Sequence, residues 1–174
     1  MIDREDYARL LGYPKGKPLE GDVALRAEEA IDWFVRCTTP RAYVRTLGVE
    51  AVAGFTAGAE VESRITRLWR EERVDEAYFL DRLAASVVET LAARTGRELR
   101  AGTRRSPGCG DLPFEAQFSL MSKLKPLAPS IELHPSGMLT PRHSLLALFP
   151  LAGRGSLSPC AACGLARCRF RRAA

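Results

Sequence analysis

In the N-terminal half of the chain, apolar positions recur at helical spacing. Asp3 to Leu11 reads as a short helix stopped by Gly12 and Pro14. Gly21 and Asp22 open a longer helix with the stripe Val23, Leu25, Ala27, Ala30, Ile31 and Phe34, closed by Cys37-Thr38-Thr39-Pro40. Ala42 to Val49 then alternates around Tyr43, Val44 and Leu47, as a strand does. Ala59 to Trp69 is helical again, with Val61, Ile65, Leu68 and Trp69 on one face. The longest run is Asp75 to Thr95. Its buried side is marked by Ala77, Leu80, Leu83, Ala84, Val87, Val88 and Leu91, and Gly96 marks its stop.

The second half changes period. Leu99 to Thr103 reads as a short strand leading into a Gly/Pro turn. Pro113 occupies a first-turn position, and Phe114, Phe118, Leu120, Met121 and Leu124 continue as a helix. Ile131 to Leu133, Gly137 to Thr140 and Ser144 to Leu151 have strand character. Helices first, then mostly antiparallel strands with flanking helices, indicate an α+β fold rather than alternating βαβ units. Residues 1–72 are read as the N-terminal helical and strand part of one domain, 73–155 as its core, and 156–174 as a Cys-rich basic tail.

Composition agrees with a folded domain. The 174 residues are 46% hydrophobic and 27% charged, enough for one core without disulfide staples. Aromatic residues are only 7%, so aliphatic side chains carry most of the packing. No apolar run approaches the ~20 residues of a membrane span, and the first residues lack the apolar core of a signal peptide. A cytoplasmic location is expected. The net charge of +5 is concentrated at Arg104, Arg105 and the tail arginines Arg167, Arg169, Arg171 and Arg172. So few charges read as a solvated terminus rather than a nucleic-acid surface.

The segment Arg104-Arg105-Ser106-Pro107-Gly108-Cys109-Gly110 has chemical content. Gly108 permits a tight turn that a ligand can approach closely, Pro107 stiffens it, and Arg104 offers a planar cationic fork suited to a carboxylate. Downstream lies Leu133-His134-Pro135-Ser136-Gly137-Met138-Leu139-Thr140-Pro141-Arg142-His143-Ser144. Upstream, Asp81-Arg82-Leu83-Ala84 and Glu89-Thr90-Leu91 lie on the long helix. Together these segments resemble the S-adenosylmethionine-binding activation domain of cobalamin-dependent methionine synthase, in which an Arg-x-x-Pro-Gly-Tyr turn receives the cofactor. The resemblance is carried downstream by Ser136, Met138, Pro141 and Ser144. It extends over nearly the whole chain against free-standing activation-domain-like proteins, through Ile2-Asp3-Arg4, Leu11-Gly12-Tyr13 and a C-terminal Cys cluster. Cys109 stands where that family carries Tyr, Pro135 where it carries Glu, and Ala85 where it often carries another Glu.

The resemblance implies an S-adenosylmethionine site formed by Glu89, Arg104, Pro107, Gly108, Cys109 and Phe149. On sequence alone, Met138 and Phe149 read as core. The resemblance further implies an accessory protein that helps reductive remethylation of a corrinoid methyltransferase such as methionine synthase. No Asp-x-His-x-x-Gly context is present, so cobalamin is expected on a partner protein, and an electron donor protein is a further expected partner.

The tail holds Cys160, Cys163 and Cys168 with the spacing Cys-x2-Cys-x4-Cys. A Cys-x2-Cys turn can place two thiolates on one metal, and neighbouring arginines favour thiolates. Zinc or an iron–sulfur cluster is expected, with Cys109 as fourth ligand. Cys37, His134 or His143 are alternatives, as are an open position, free thiols or a redox disulfide. The rival functional reading is therefore a non-catalytic metal-binding interaction module of the same fold that docks on a corrinoid protein.

Overall fold

The computed structural model describes residues 2–151, and they form the expected α+β fold. The first helix, α1 (Arg4–Leu10), begins where the Asp3 carboxylate accepts the backbone N–H groups of Glu5 and Asp6, both at 3.0 Å. It is followed by α2 (Gly21–Cys37), β1 (Arg41–Leu47), β2 (Glu50–Thr56), α3 (Ala59–Arg70) and α4 (Val74–Glu98). The second half contributes α5 (Ala116–Leu124), β3 (Glu132–Leu133), β4 (Leu139–Thr140) and β5 (Ser144–Pro150).

Three strands make an antiparallel sheet in the order β1-β2-β5, and β3 pairs with β4 as a separate ribbon. Side-chain alternation sends Ala51, Ala53, Phe55, Ala147 and Phe149 to one face, where they pack on α4 and join the core that α1 to α3 complete. Val52, Leu146 and Leu148 point to the other face and meet Leu120, Met121 and Leu124 of α5. The sheet is thus a middle layer with helices on both sides.

That layering explains the strand the sequence pattern misses. β2 reads Glu-Ala-Val-Ala-Gly-Phe-Thr, and all but its first residue are buried. With both faces covered there is no polar alternation to see. The reading of α4 also stops too early. The helix passes through Gly96 to Glu98, because the missing side chain makes room for Phe149: a Cβ at Gly96 would lie 3.1 Å from that ring.

Other boundaries differ for local reasons. Leu99 to Thr103 forms no strand. Gly102 donates its N–H to Pro150 at 2.8 Å, and pairing begins at Arg105, which exchanges backbone hydrogen bonds with Leu148 at 2.9 and 2.8 Å. Pro113 to Glu115 form a tight turn ahead of α5, so Phe114 is outside the helix and half-exposed. Trp69 is 52% exposed and Met138 56% exposed, so neither belongs to the core assigned to it. Among the described residues no helix is long and apolar enough to cross a membrane.

Candidate functional site

Arg105 and Leu148 face the α5 side of the sheet as an antiparallel bridge pair. Alternation then turns Arg104 and Ser106 toward α4. Arg104 finds Glu89 there. Its Nη2 donates to Glu89 Oε2 at 3.0 Å and Oε1 at 3.3 Å, with the two side chains 16% and 26% exposed. Arg104 Nε and Ser106 Oγ are buried and have no hydrogen-bond partner among the described residues. Buried polar atoms in folded proteins are nearly always satisfied, by protein, water or ligand. Arg105, on the opposite face, is held by Asp111 at 2.8 and 3.1 Å.

The turn after Ser106 is built as its residues require. Cys109 N–H returns to the Ser106 carbonyl at 3.0 Å, and Gly108 N–H donates to Leu112 O at 2.9 Å. Gly108 sits at φ +75°, a conformation that favours glycine, after Pro107. Phe114 packs beneath: a Cβ at Gly108 would lie 3.6 Å from its ring, and one at Gly137 would overlap it. One aromatic ring therefore joins the Gly108 turn to the β3–β4 turn, the two motif segments the sequence sets far apart.

A second polar cluster lies two helical turns away on α4. Asp81 accepts from His143 Nε2 at 3.1 Å, with Arg82 at 3.4 Å and Arg142 at 3.8 Å. The His143 hydrogen bond, followed by the charges of His143, Arg82 and Arg142, holds the Asp81 carboxyl below its ordinary value despite burial. Arg142 N–H also donates to Glu62 of α3 at 3.0 Å. This clasp ties the start of β5 to α4 and α3.

Of the residues singled out from the sequence, the structure brings Glu89 and Arg104 together and sets Pro107, Gly108 and Cys109 on the adjoining turn. Cys109 is exposed. Phe149 is 1% exposed and stands edge-on to Phe55 with centroids 6.3 Å apart, so its ring is part of the core behind the site. Sequence reading missed Ser106. Its position two residues from Arg104, on the same face of an extended segment, was the available signal. Cys160, Cys163 and Cys168 lie outside the described residues.

Among the described residues no group of three or more His, Cys, Asp or Glu side chains gathers to hold a metal. The alternative metal ligands are dispersed: Cys37 ends α2, His134 bonds Thr140 at 2.8 Å, and His143 bonds Asp81. Three of the four expected ligands, Cys160, Cys163 and Cys168, lie outside the described residues, and Cys109 belongs to no such group among the described ones.

Comparison with solved structures gives a match titled the MetH reactivation domain bound to AdoHcy, with a TM-score of 0.64 over 90% of this chain and 75% of that one, at 11% identity. The chain has the fold of the MetH reactivation domain. No protein-family model matches the chain, and no curated protein sequence does.

Proposed function

We propose that this protein binds an S-adenosyl amino acid at the Glu89–Arg104 pair and presents it to a corrinoid carried by a partner methyltransferase such as methionine synthase. One observation carries the proposal. The pair is half-buried, with one guanidinium nitrogen unpartnered among the described residues, beside the tight Gly108 turn. An amino-acid head group bears a carboxylate and an ammonium. It can replace the internal ion pair charge for charge, with carboxylate to Arg104 and ammonium to Glu89, leaving neither protein charge alone. The likeness to a domain solved with AdoHcy supports this ligand class.

In this reading Arg104 anchors the donor beside the Gly108 turn, Glu89 orients it, and Phe149 supports α4 from the core. Pro107 and Cys109 shape the turn. The protein contributes positioning, and the hard chemistry belongs to the bound molecules. A corrinoid on the partner, reduced by one electron from a donor protein, would supply the methyl acceptor, and the residues of this chain would hold the S-adenosyl methyl donor in place for it.

The test is anaerobic. A cob(II)alamin-loaded methionine synthase lacking its own activation domain is mixed with S-adenosylmethionine, a one-electron donor and this chain, and methylcobalamin is followed by absorbance. Methylcobalamin formation that depends on the chain and is lost with Arg104→Ala is the expected result. Equal formation without the chain, or with the variant, would remove the proposal.

A further inference from the structure

A cavity of about 260 Å³ opens between α2, α3 and the start of α4 and shares no residue with the Glu89–Arg104 site. Its apolar walls are Ala30, Trp33, Leu68 and Leu80, the last two almost fully buried. Three arginines and two glutamates complete the lining. Two of the arginines are matched. Arg73 grips both oxygens of Glu76 at 2.7 and 2.6 Å and also donates to Glu71 at 3.2 Å. Arg26 donates to Glu29 at 3.0 Å. Arg64 is different. Its side chain is only 18% exposed, its nearest carboxylate is Glu76 at 4.0 Å, and its guanidinium lies over the Trp33 ring at 5.9 Å from the centroid.

The Arg64 nitrogens keep contact with water and have no acceptor at hydrogen-bond distance among the described residues, so they are open to donate a charge-assisted hydrogen bond to a bound anion. Glu71 shares Arg73 with Glu76, so the local charge is close to balanced, and Arg64, beside the aromatic wall, is the arginine whose donors have no close acceptor among the described residues. From the Arg64 guanidinium, the Trp33 wall and the apolar floor we infer that this cavity is a binding site for a small organic monoanion, a carboxylate with an apolar body. The carboxylate takes the open donors of Arg64, and the body covers Leu68, Leu80 and the indole. The volume suits a compact acid rather than a nucleotide or peptide.

The chain has two tryptophans, and Trp69 is half-exposed, so Trp69→Phe leaves Trp33 as sole reporter. In that background, benzoate is titrated against Trp33 fluorescence, with benzamide and benzylamine as neutral and cationic counterparts. Benzoate is expected to saturate with a Kd of about 1 mM or tighter, and benzamide to bind at least about 10-fold more weakly. Arg64→Gln should remove that preference. Ala30→Leu, which keeps the charge and fills the space, should weaken benzoate by about 10-fold. Equal response to benzoate and benzamide, no saturation by benzoate, or a preference that survives in Arg64→Gln would overturn the inference. A shifted Trp33 emission in Arg64→Gln without benzoate binding to the parent would show Arg64 to be only a brace for the indole.

Discussion

Two polar contacts join α4 to the β5 edge of the sheet, and they are built differently. At one end Asp81 faces His143, Arg82 and Arg142, so its charge is compensated several times over. At the other end, among the described residues, Glu89 faces Arg104 alone and Arg104 Nε has no partner. The first arrangement is hard to exchange, since any incoming group must displace several partners. The second is one-to-one and can trade partners with a zwitterion. The comparison separates a contact that holds the fold from one available to a ligand, although both are half-buried ion pairs on one helix.

The largest effect expected from breaking the comparison is at the second contact. Arg104→Ala should weaken S-adenosylmethionine by about 100-fold in calorimetry, the equivalent of ~3 kcal/mol, and lower the thermal midpoint only modestly, since the Glu89 carboxylate it leaves without its partner still reaches water. Asp81→Asn should do the reverse. It should cost about 2 kcal/mol in urea unfolding and change ligand affinity less than about 3-fold.

The same substitution has a pH signature. Asp81 has a depressed carboxyl in the folded state, so it contributes stability above the ordinary carboxylate range. That contribution is lost as pH falls through the folded value. The stability gap between parent and Asp81→Asn should therefore be widest near neutrality and close in acid, as read from urea midpoints at stepped pH.

Smaller effects sharpen the ligand end. Glu89→Gln removes the ammonium's counter-charge but keeps a hydrogen-bond acceptor, and about a 10-fold loss of affinity is expected by calorimetry. Ser106→Ala removes an unpartnered buried hydroxyl. It should leave stability unchanged or slightly raised, and cost ligand affinity about 3-fold where that hydroxyl meets the ligand.

Much of the helical part was legible because α2, α3 and α4 each bury one face, and one-face burial writes a 3.6-residue period into the sequence. β2 was not legible because both its faces are buried. Gly96 read as a stop because its role is a contact with Phe149, 53 positions further along the chain, that no local pattern encodes. The site was legible in part. Arg104, Pro107 and Gly108 form a local turn, and their chemistry shows in residue type. Glu89 was tied to that turn by the family resemblance, and the structure supplies the 3.0 Å contact. The Asp81–His143 bond spans 62 positions and has no signature in a single sequence. Met138 was misjudged because an apolar residue beside a turn looks the same whether it caps a core or faces water.

The central claim is that the Glu89–Arg104 pair receives the amino-acid end of the ligand. The most direct measurement is a calorimetric titration of the parent and Arg104→Ala with S-adenosylmethionine and with 5′-methylthioadenosine, which lacks the amino-acid group. The account expects saturable binding of S-adenosylmethionine to the parent, methylthioadenosine at least about 30-fold weaker, and near-equal weak binding of both to Arg104→Ala. Equal affinity of the parent for the two ligands, or no saturable heat with millimolar S-adenosylmethionine, would contradict it.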